Sequence, residues 1–168
     1  MIMLLVLTLP AGFVRAGEPE YKVKAAFLVN IAKFVSWNDG VFANEDCFSL
    51  CLIGRDPFGD ALNGIENKQI AGKNIMLQQL ISGFDHIGEC RLAFISKSEQ
   101  GNLEKILKAS VGKPVVTVSD IEGFASSGGI FEFKDKDGRL SFVINNTRAK
   151  ANGIHISASL LALAIEVL

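Results

Sequence analysis

The stretch from Pro114 to Ala164 constrains the fold most, because unlike local signals follow one another there in a fixed order. Val115–Val118 is a short β-branched run that predicts a buried strand. Two further strand-like runs, Ile130–Phe133 and Leu140–Ile144, flank the turn-forming residues Asp135–Gly138. This spacing predicts a β-hairpin.

Strand-like and helix-like segments also alternate through the rest of the chain. Expected strands are Phe48–Ile53, Ile75–Ile81 and Leu92–Ile95. Expected helices are Glu18–Val35, Pro57–Ile65, Ser98–Ser110 and an apolar helix from Ser157 onward. Alternation of this kind predicts an α/β fold, a three-layer α/β/α sandwich with a mostly parallel sheet and the antiparallel hairpin at one edge.

The composition narrows the class of protein. The chain has 168 residues, of which 49% are apolar and 21% charged, so it can bury the core of a single domain. Its net charge is −1, and lysine and acidic residues are interspersed. A nucleic-acid partner is not expected, because no basic stripe is present.

The first residues are typical of a secretory signal peptide. An apolar run leads to Val14 and Ala16, which suit the −3 and −1 positions of a cleavage site. We therefore expect a signal peptide at 1–16 and a single mature domain at 17–168. No basic residue precedes Arg15, and a buried N-terminal helix is the alternative, although Pro10 and Gly12 would interrupt it. Later segments lack the roughly 20 uninterrupted apolar residues of a membrane helix, so the mature protein is expected to be exported and not membrane-embedded.

Export changes the interpretation of the three cysteines, Cys47, Cys51 and Cys90. In an oxidising compartment two of them would be expected to pair. Cys51 and Cys90 could meet if the apolar runs that carry them are neighbouring parallel strands, and Cys47 could compete for Cys90. Three buried free thiols become the better interpretation if the protein is not exported. Zinc is poorly supported, because no CxxC or HxxxH pair exists.

Polar residues follow several of the predicted strands. In open α/β sheets ligands bind beyond the carboxyl ends of the strands. The candidate ligand-pocket residues are Arg55, Asp56, Ser96, Ser119, Asp120 and Asn145. Helix capping is the simpler interpretation of Ser96, Ser119 and Asp120. Arg55 suits a carboxylate or phosphate group. The surrounding GRDPFG loop lacks the Gly-Lys-Ser/Thr end of a P-loop and the GxGxxG pattern of a dinucleotide site, so a nucleotide ligand is disfavoured.

Catalysis has little support in the sequence. His86 and His155 are the only histidines, and neither has a nucleophile at a recognised spacing. No GxSxG motif is present. We therefore expect a protein that is not an enzyme, and we predict no catalytic, cofactor-binding or metal-binding residues.

Several motifs, taken together in order, resemble the YfiR-like family of bacterial periplasmic proteins. They are KAAFLVNIAKFVSW (24–37), CLIGRDPFG (51–59), CRLAFIS (90–96), TVSD (117–120), FASSGGIFEF (124–133), GRLSFVIN (138–145) and GIHISASLLALA (153–164). The resemblance covers about the whole mature chain. It implies a disulfide bond between Cys51 and Cys90, whereas Cys47 has no counterpart in the family pattern.

The resemblance also implies a function. Family members act as regulators, and the best-understood type represses an inner-membrane diguanylate cyclase by binding its periplasmic domain. An outer-membrane lipoprotein relieves the repression, so the protein would control cyclic-di-GMP and biofilm formation without catalysis. Other sensor proteins are alternative partners, and a homodimer is expected.

The nearly apolar first and last helices are candidate association surfaces, although core helices are the commoner case. Leu161 and Ile165 are the candidate partner-surface residues. The alternative function is a periplasmic small-ligand sensor whose pocket lies at the carboxyl ends of the strands.

Overall fold

The computed structural model describes residues 18–38, 40–41, 45–81 and 84–168. The expected signal peptide at 1–16 lies outside these residues. The helices are α1 (Glu18–Lys33), α2 (Leu103–Ala109), α3 (Asn146–Ala151) and α4 (Ala158–Leu161). The strands are β1 (Val35–Trp37), β2 (Cys47–Ile53), β3 (Gln69–Ile70), β4 (Lys73–Leu80), β5 (Leu92–Ile95), β6 (Val116–Ser119), β7 (Phe131–Lys136), β8 (Arg139–Ile144), β9 (Ile154–Ile156) and β10 (Glu166–Val167).

The main sheet has eight strands in the described part of the chain, in the order β10-β8-β7-β6-β5-β2-β4-β3. The four central pairs are parallel: β4–β2, β2–β5, β5–β6 and β6–β7. The hairpin β7–β8 and the outer pair β3–β4 are antiparallel. A separate antiparallel pair joins β1 to β9. The predicted α/β class and mostly parallel sheet are confirmed.

Two hydrophobic cores lie on opposite faces of this sheet. Successive side chains of a strand point to opposite faces, so each central strand contributes to both cores. In β5, Leu92 and Phe94 pack in the core that contains α1, whereas Ala93 and Ile95 pack in the core that contains α2. Helix α1 covers the first face because its buried residues recur at helical spacing, as in Leu28, Ile31 and Ala32. The arrangement is an α/β sandwich.

The predicted hairpin is present, but β10 covers its outer strand. Asp137 and Gly138 form the turn with φ of 54° and 72°, which matches a two-residue hairpin loop with both residues in the left-handed region. Strand β10 pairs in parallel with β8. The hairpin is therefore next to the edge of the sheet, and β10 forms the edge itself.

Two expected helices are wholly or partly replaced by 3-10 structure. The segment predicted as a helix from Pro57 to Ile65 forms two short 3-10 turns, Gly59–Leu62 and Ile65–Asn67. Gly59 and Gly64 take positive φ there, which interrupts a right-handed helix. Ser98–Ser110 is α-helical only within α2, and a 3-10 helix, Lys97–Asn102, precedes it.

The C-terminal helix was predicted wrongly beyond Leu161. Helix α4 ends at that residue, and the chain then extends along β8. The N–H groups of Ile165 and Leu168 donate to the carbonyls of Phe142 and Ile144 at 3.0 and 2.8 Å. These bonds satisfy backbone groups of β8 that an edge strand would otherwise leave unpaired. A uniformly apolar run carries no periodicity that separates helix from strand.

Candidate functional site

A buried ion pair links the first helix to the carboxyl end of β6. The Lys24 ammonium of α1 donates to Asp120 Oδ2 at 2.6 Å, and the Tyr21 hydroxyl donates to the same oxygen at 2.9 Å. The side chains of Lys24 and Asp120 are only 3% and 4% exposed. Asp120 follows β6 directly, so the sheet fixes the carboxylate and the helix brings the cation to it.

Tyr21 is held in its neutral form by this environment. Burial, and then the hydrogen bond to the Asp120 carboxylate, raise the pKa of Tyr21 well above its usual range. The Lys24 ammonium also lies 4.4 Å from the centre of the Tyr21 ring, within cation–π distance. Tyr21 therefore acts as a hydrogen-bond donor to Asp120 at neutral pH.

A cavity of about 560 Å³ opens beside this ion pair. It lies between α1, the carboxyl ends of β6 and β7, and the hairpin turn. Its apolar wall contains Val23, Phe133 and Leu140. Its charged lining consists of Glu20, Lys24, Lys97, Asp120, Glu122, Glu132, Lys134 and Asp135. The volume is in the range of about 300–1,000 Å³ that small-molecule sites occupy.

Glu132 supports one wall of the cavity. It is 2% exposed, and its carboxylate accepts from the backbone N–H groups of Gly123 and Ala125 at 2.9 and 3.0 Å. The Lys134 ammonium lies 2.7 Å from Glu132 Oε1. Burial alone would raise the pKa of Glu132, but the hydrogen bonds from Lys134, Ala125 and Gly123 together lower it. The hydrogen bond to Glu132 raises the pKa of Lys134.

Asp120 retains one oxygen without a partner. Among the described residues, no group donates a hydrogen bond to its buried Oδ1. Lys97 Nζ lies 3.8 Å from Oδ2, and the Lys97 side chain is 62% exposed. The carboxylate is thus held through one oxygen, and its other oxygen is buried without a donor among the described residues.

Of the six candidate pocket residues, the structure places Asp120 in the lining of this cavity. Ser96 caps the 3-10 helix that follows it, as the capping interpretation predicts, by accepting from the Ser98 N–H. The Ser119 hydroxyl donates to the Ile95 carbonyl at 2.7 Å and accepts from the Ile121 N–H. These two serines hold the backbone at the strand ends.

The other three candidates lie away from the cavity lining. Asn145 caps α3 by accepting from the Arg148 N–H, and its amide donates to the Ala125 carbonyl. Asp56 accepts from the Phe58 and Gly59 N–H groups and so closes its own loop. The Arg55 side chain is exposed. The candidate residues thus do not form one pocket.

Sequence reasoning missed Lys24 and Glu132. Lys24 directly precedes the apolar run Ala25–Val29, and Glu132 lies within the run Ile130–Phe133, so a charge beside or within an apolar run was the available signal. Their partners could not be identified from spacing, because Lys24 and Asp120 are 96 residues apart.

The structure joins Cys51 and Cys90 in a disulfide bond, with their Cα atoms 5.9 Å apart. Cys51 lies in β2, and Cys90 stands two residues before β5, the parallel neighbour of β2. Cys47 is a free thiol, and its sulfur lies 3.8 Å from that of Met76. The disulfide is the one that the family pattern implies, and it fits an oxidising compartment.

An exposed apolar surface lies at the C-terminal edge of the sheet. Leu163, Ile165, Val167 and Leu168 are between 39% and 70% exposed. We call these four residues the edge patch. Ile165 belongs to it, whereas Leu161 is half-buried and packs against the core beneath α1.

Two classes of site are not found in the described parts of the chain. No group of three or more His, Cys, Asp or Glu side chains there is arranged to hold a metal ion. Across the same residues, no helix has the length and apolar character needed to cross a bilayer.

The decisive comparison is with protein families. Residues 21–165 match the model described as YfiR/HmsC-like. The chain belongs to the YfiR/HmsC-like family. This membership confirms the resemblance drawn from the motifs. The family is one of periplasmic regulators. Comparison with curated proteins gives no significant match.

Solved structures support the fold of this family member. One similar structure is described as a conserved domain protein from Vibrio cholerae, with a TM-score of 0.57 and 12% identity. Another is described as an ABC domain in complex with L-Trp from Streptococcus pneumonia, with a TM-score of 0.56 and 12% identity. Each match covers 86% of this chain and 60% of the other. The chain therefore spans about 60% of the length of these relatives, and the likeness concerns the fold alone.

Proposed function

We propose that this protein is a periplasmic repressor that binds the periplasmic domain of an inner-membrane signalling enzyme, a diguanylate cyclase, and lowers its output of cyclic-di-GMP. Membership of the YfiR/HmsC-like family over residues 21–165 carries the proposal. The disulfide bond between Cys51 and Cys90 supports an oxidising compartment. Export would remove residues 1–16 and leave 17–168 as the mature domain.

The edge patch is the proposed contact surface for the cyclase. Its four side chains are apolar and exposed, although burial of such side chains is the usual outcome in a folded domain. They lie on and beside β10, whose outer backbone edge has no neighbouring strand among the residues that the structure describes. A partner segment that adds to this edge would gain main-chain hydrogen bonds together with apolar contacts. The proposal has two further parts. An outer-membrane lipoprotein sequesters the repressor, and the repressor itself forms a homodimer.

Deletion of the gene tests this function directly, because loss of a repressor should raise cyclic-di-GMP in the cell. Complementation with Ile165→Glu should fail, since a charge in the edge patch would have to be desolvated in the complex. Ile81→Glu is the matched control. Ile81 is 77% exposed and follows β4, which lies towards the opposite edge of the sheet, so this variant should complement.

Two measurements keep the experiment interpretable. Circular dichroism and thermal unfolding of both variants should match the wild type, because both isoleucines are exposed. Leu161→Glu is avoided, since Leu161 is half-buried and its replacement would destabilise the core. Unchanged cyclic-di-GMP after deletion, together with no binding to an inner-membrane diguanylate cyclase, would rule out repression.

A second candidate function is the sensing of a small ligand, which the cavity beside Asp120 favours. The cavity lies at the carboxyl ends of β6 and β7, where open α/β sheets bind ligands. A carboxylate with an unpartnered buried oxygen lines it. The two functions are compatible, because the cavity residues and the edge patch are separate sets.

A further inference from the structure

We propose that the cavity beside Asp120 binds a linear aliphatic diamine, a dication whose two ammonium groups are separated by methylene groups. The inference rests on the second candidate function and names its ligand class. Three features of the lining carry it: an unsatisfied buried carboxylate oxygen, a surplus of negative charge, and apolar side chains in the same cavity.

The deep end of the cavity has one missing hydrogen-bond donor. Asp120 Oδ2 is engaged by Lys24 and Tyr21, whereas the buried Oδ1 has no donor among the described residues. A buried polar atom without a partner carries a desolvation penalty, and it is therefore a place where a bound donor stabilises the protein. A primary ammonium supplies up to three N–H donors and a compensating charge.

The charges of the lining select a cation rather than an anion. The cavity is lined by five carboxylates and three ammonium groups, which leaves a net charge of −2 at neutral pH. Lys24 and Lys134 are each within 2.7 Å of a carboxylate, so they are already neutralised. Three of the carboxylates are exposed: Glu20, which lies 2.5 Å from Lys24 Nζ, and Glu122 and Asp135, which we call the outer carboxylates. A net charge of −2 is complementary to a dication.

Part of the cavity lining is apolar. Val23, Phe133 and Leu140 line the cavity, and Val23 is 47% exposed. A chain of methylene groups could cover this surface while one ammonium reaches Asp120 and the other remains near Glu122 or Asp135. A ligand with a carboxylate at its outer end would instead meet like charges there.

Isothermal titration calorimetry with three matched probes tests the proposal on the full chain at low ionic strength. Cadaverine, n-hexylamine and ε-aminocaproate share one ammonium and five methylene groups, and they differ in the second end: ammonium, methyl or carboxylate. We expect affinity to fall in that order. Glu122→Gln should lower the affinity for cadaverine by about fivefold, which is the effect of one unit charge at short range in water. The same variant should leave the affinity for n-hexylamine nearly unchanged.

Two further variants sharpen the test. Lys97→Gln should strengthen cadaverine binding, because it removes the exposed cation 3.8 Å from Asp120. Glu104→Gln is the control for Glu122→Gln, since Glu104 is exposed on α2, which packs on the other face of the sheet, and it should change no affinity. Glu122 and Lys97 are exposed and outside both cores, so these variants avoid the folding defect that replacement of Asp120 would bring.

The results separate failure of the ligand class from failure of the function. If ε-aminocaproate binds most tightly, the diamine proposal is wrong while sensing of a small ligand stands. Equal binding of cadaverine and n-hexylamine would show that the outer carboxylates do not recognise the ligand, which also overturns the proposal. If no probe binds, the diamine class is rejected, and the Ile165→Glu complementation still decides repression independently.

Discussion

Removal of the disulfide bond is expected to produce a large and calculable loss of stability. The perturbation is the double variant Cys51→Ala/Cys90→Ala. The two cysteines are 39 residues apart in sequence, and in the chain-entropy model closure of such a loop contributes about 4 kcal/mol at 25 °C. Both side chains are at most 1% exposed, so the truncations add a small packing loss to this figure.

The assays are urea unfolding and thermal unfolding of the wild type, the double variant and Cys47→Ala, each with and without reductant. For a domain of this size, a loss of about 4 kcal/mol lowers the melting temperature by roughly 8–16 °C. The m-value should rise in the double variant, because an uncrosslinked denatured chain exposes more surface. Cys47→Ala should remain within about 0.5 kcal/mol of the wild type and should stay sensitive to reductant.

Two results would refute this reasoning. A double variant within about 1 kcal/mol of the wild type would show that the bridge hardly restricts the denatured chain. Peptide mapping that finds Cys47 bonded to Cys90 in the native protein would place the crosslink elsewhere, and Cys47→Ala would then be the destabilising change.

The remaining predictions concern buried charges. Lys24→Met should cost about 3–5 kcal/mol in a urea titration, because it leaves Asp120 as a buried charge without its cation. Lys24→Met/Asp120→Leu should recover part of that loss, and a double variant as unstable as the sum of the single ones would contradict the pairing. The pKa of Glu132 is lower in the folded protein, so its stabilisation is present above about pH 4.5 and is lost as the pH falls through the folded pKa. Glu132→Gln should therefore flatten the acid side of the stability profile, and an unchanged profile would count against the effect.

The central sheet could be predicted because its signals are local. The strands β2, β5 and β6 consist mostly of apolar and β-branched residues, as strands buried on both faces do. The turn at Asp137 and Gly138 has the residue types that its dihedral angles require. The prediction of a long C-terminal helix was wrong because the apolar residues after Leu161 fit a helix and an edge strand equally well.

The candidate site was less predictable, because its residues are brought together by the fold. Asp120 could be selected from its position after a strand, but the cation that neutralises it lies in the first helix. Ser96 and Asn145 were selected by the same positional rule and serve as caps. A rule about strand ends cannot separate a residue that lines a cavity from one that closes a helix, since both carry the same polar atoms in the same place.

The link between Lys24 and Asp120 has a consequence for the order in which the domain is completed. Synthesis delivers α1 first, but the carboxylate that accepts its buried ammonium comes 96 residues later. A helix of 16 residues is only marginally stable on its own. Before Asp120 is in place, the carboxylate beside Lys24 is that of Glu20, one turn earlier in α1, whose side chain is 51% exposed, so burial of Lys24 would lack its buried partner. The helix that emerges first is therefore secured only after β6 has formed, so the N-terminal segment stays undocked through most of synthesis.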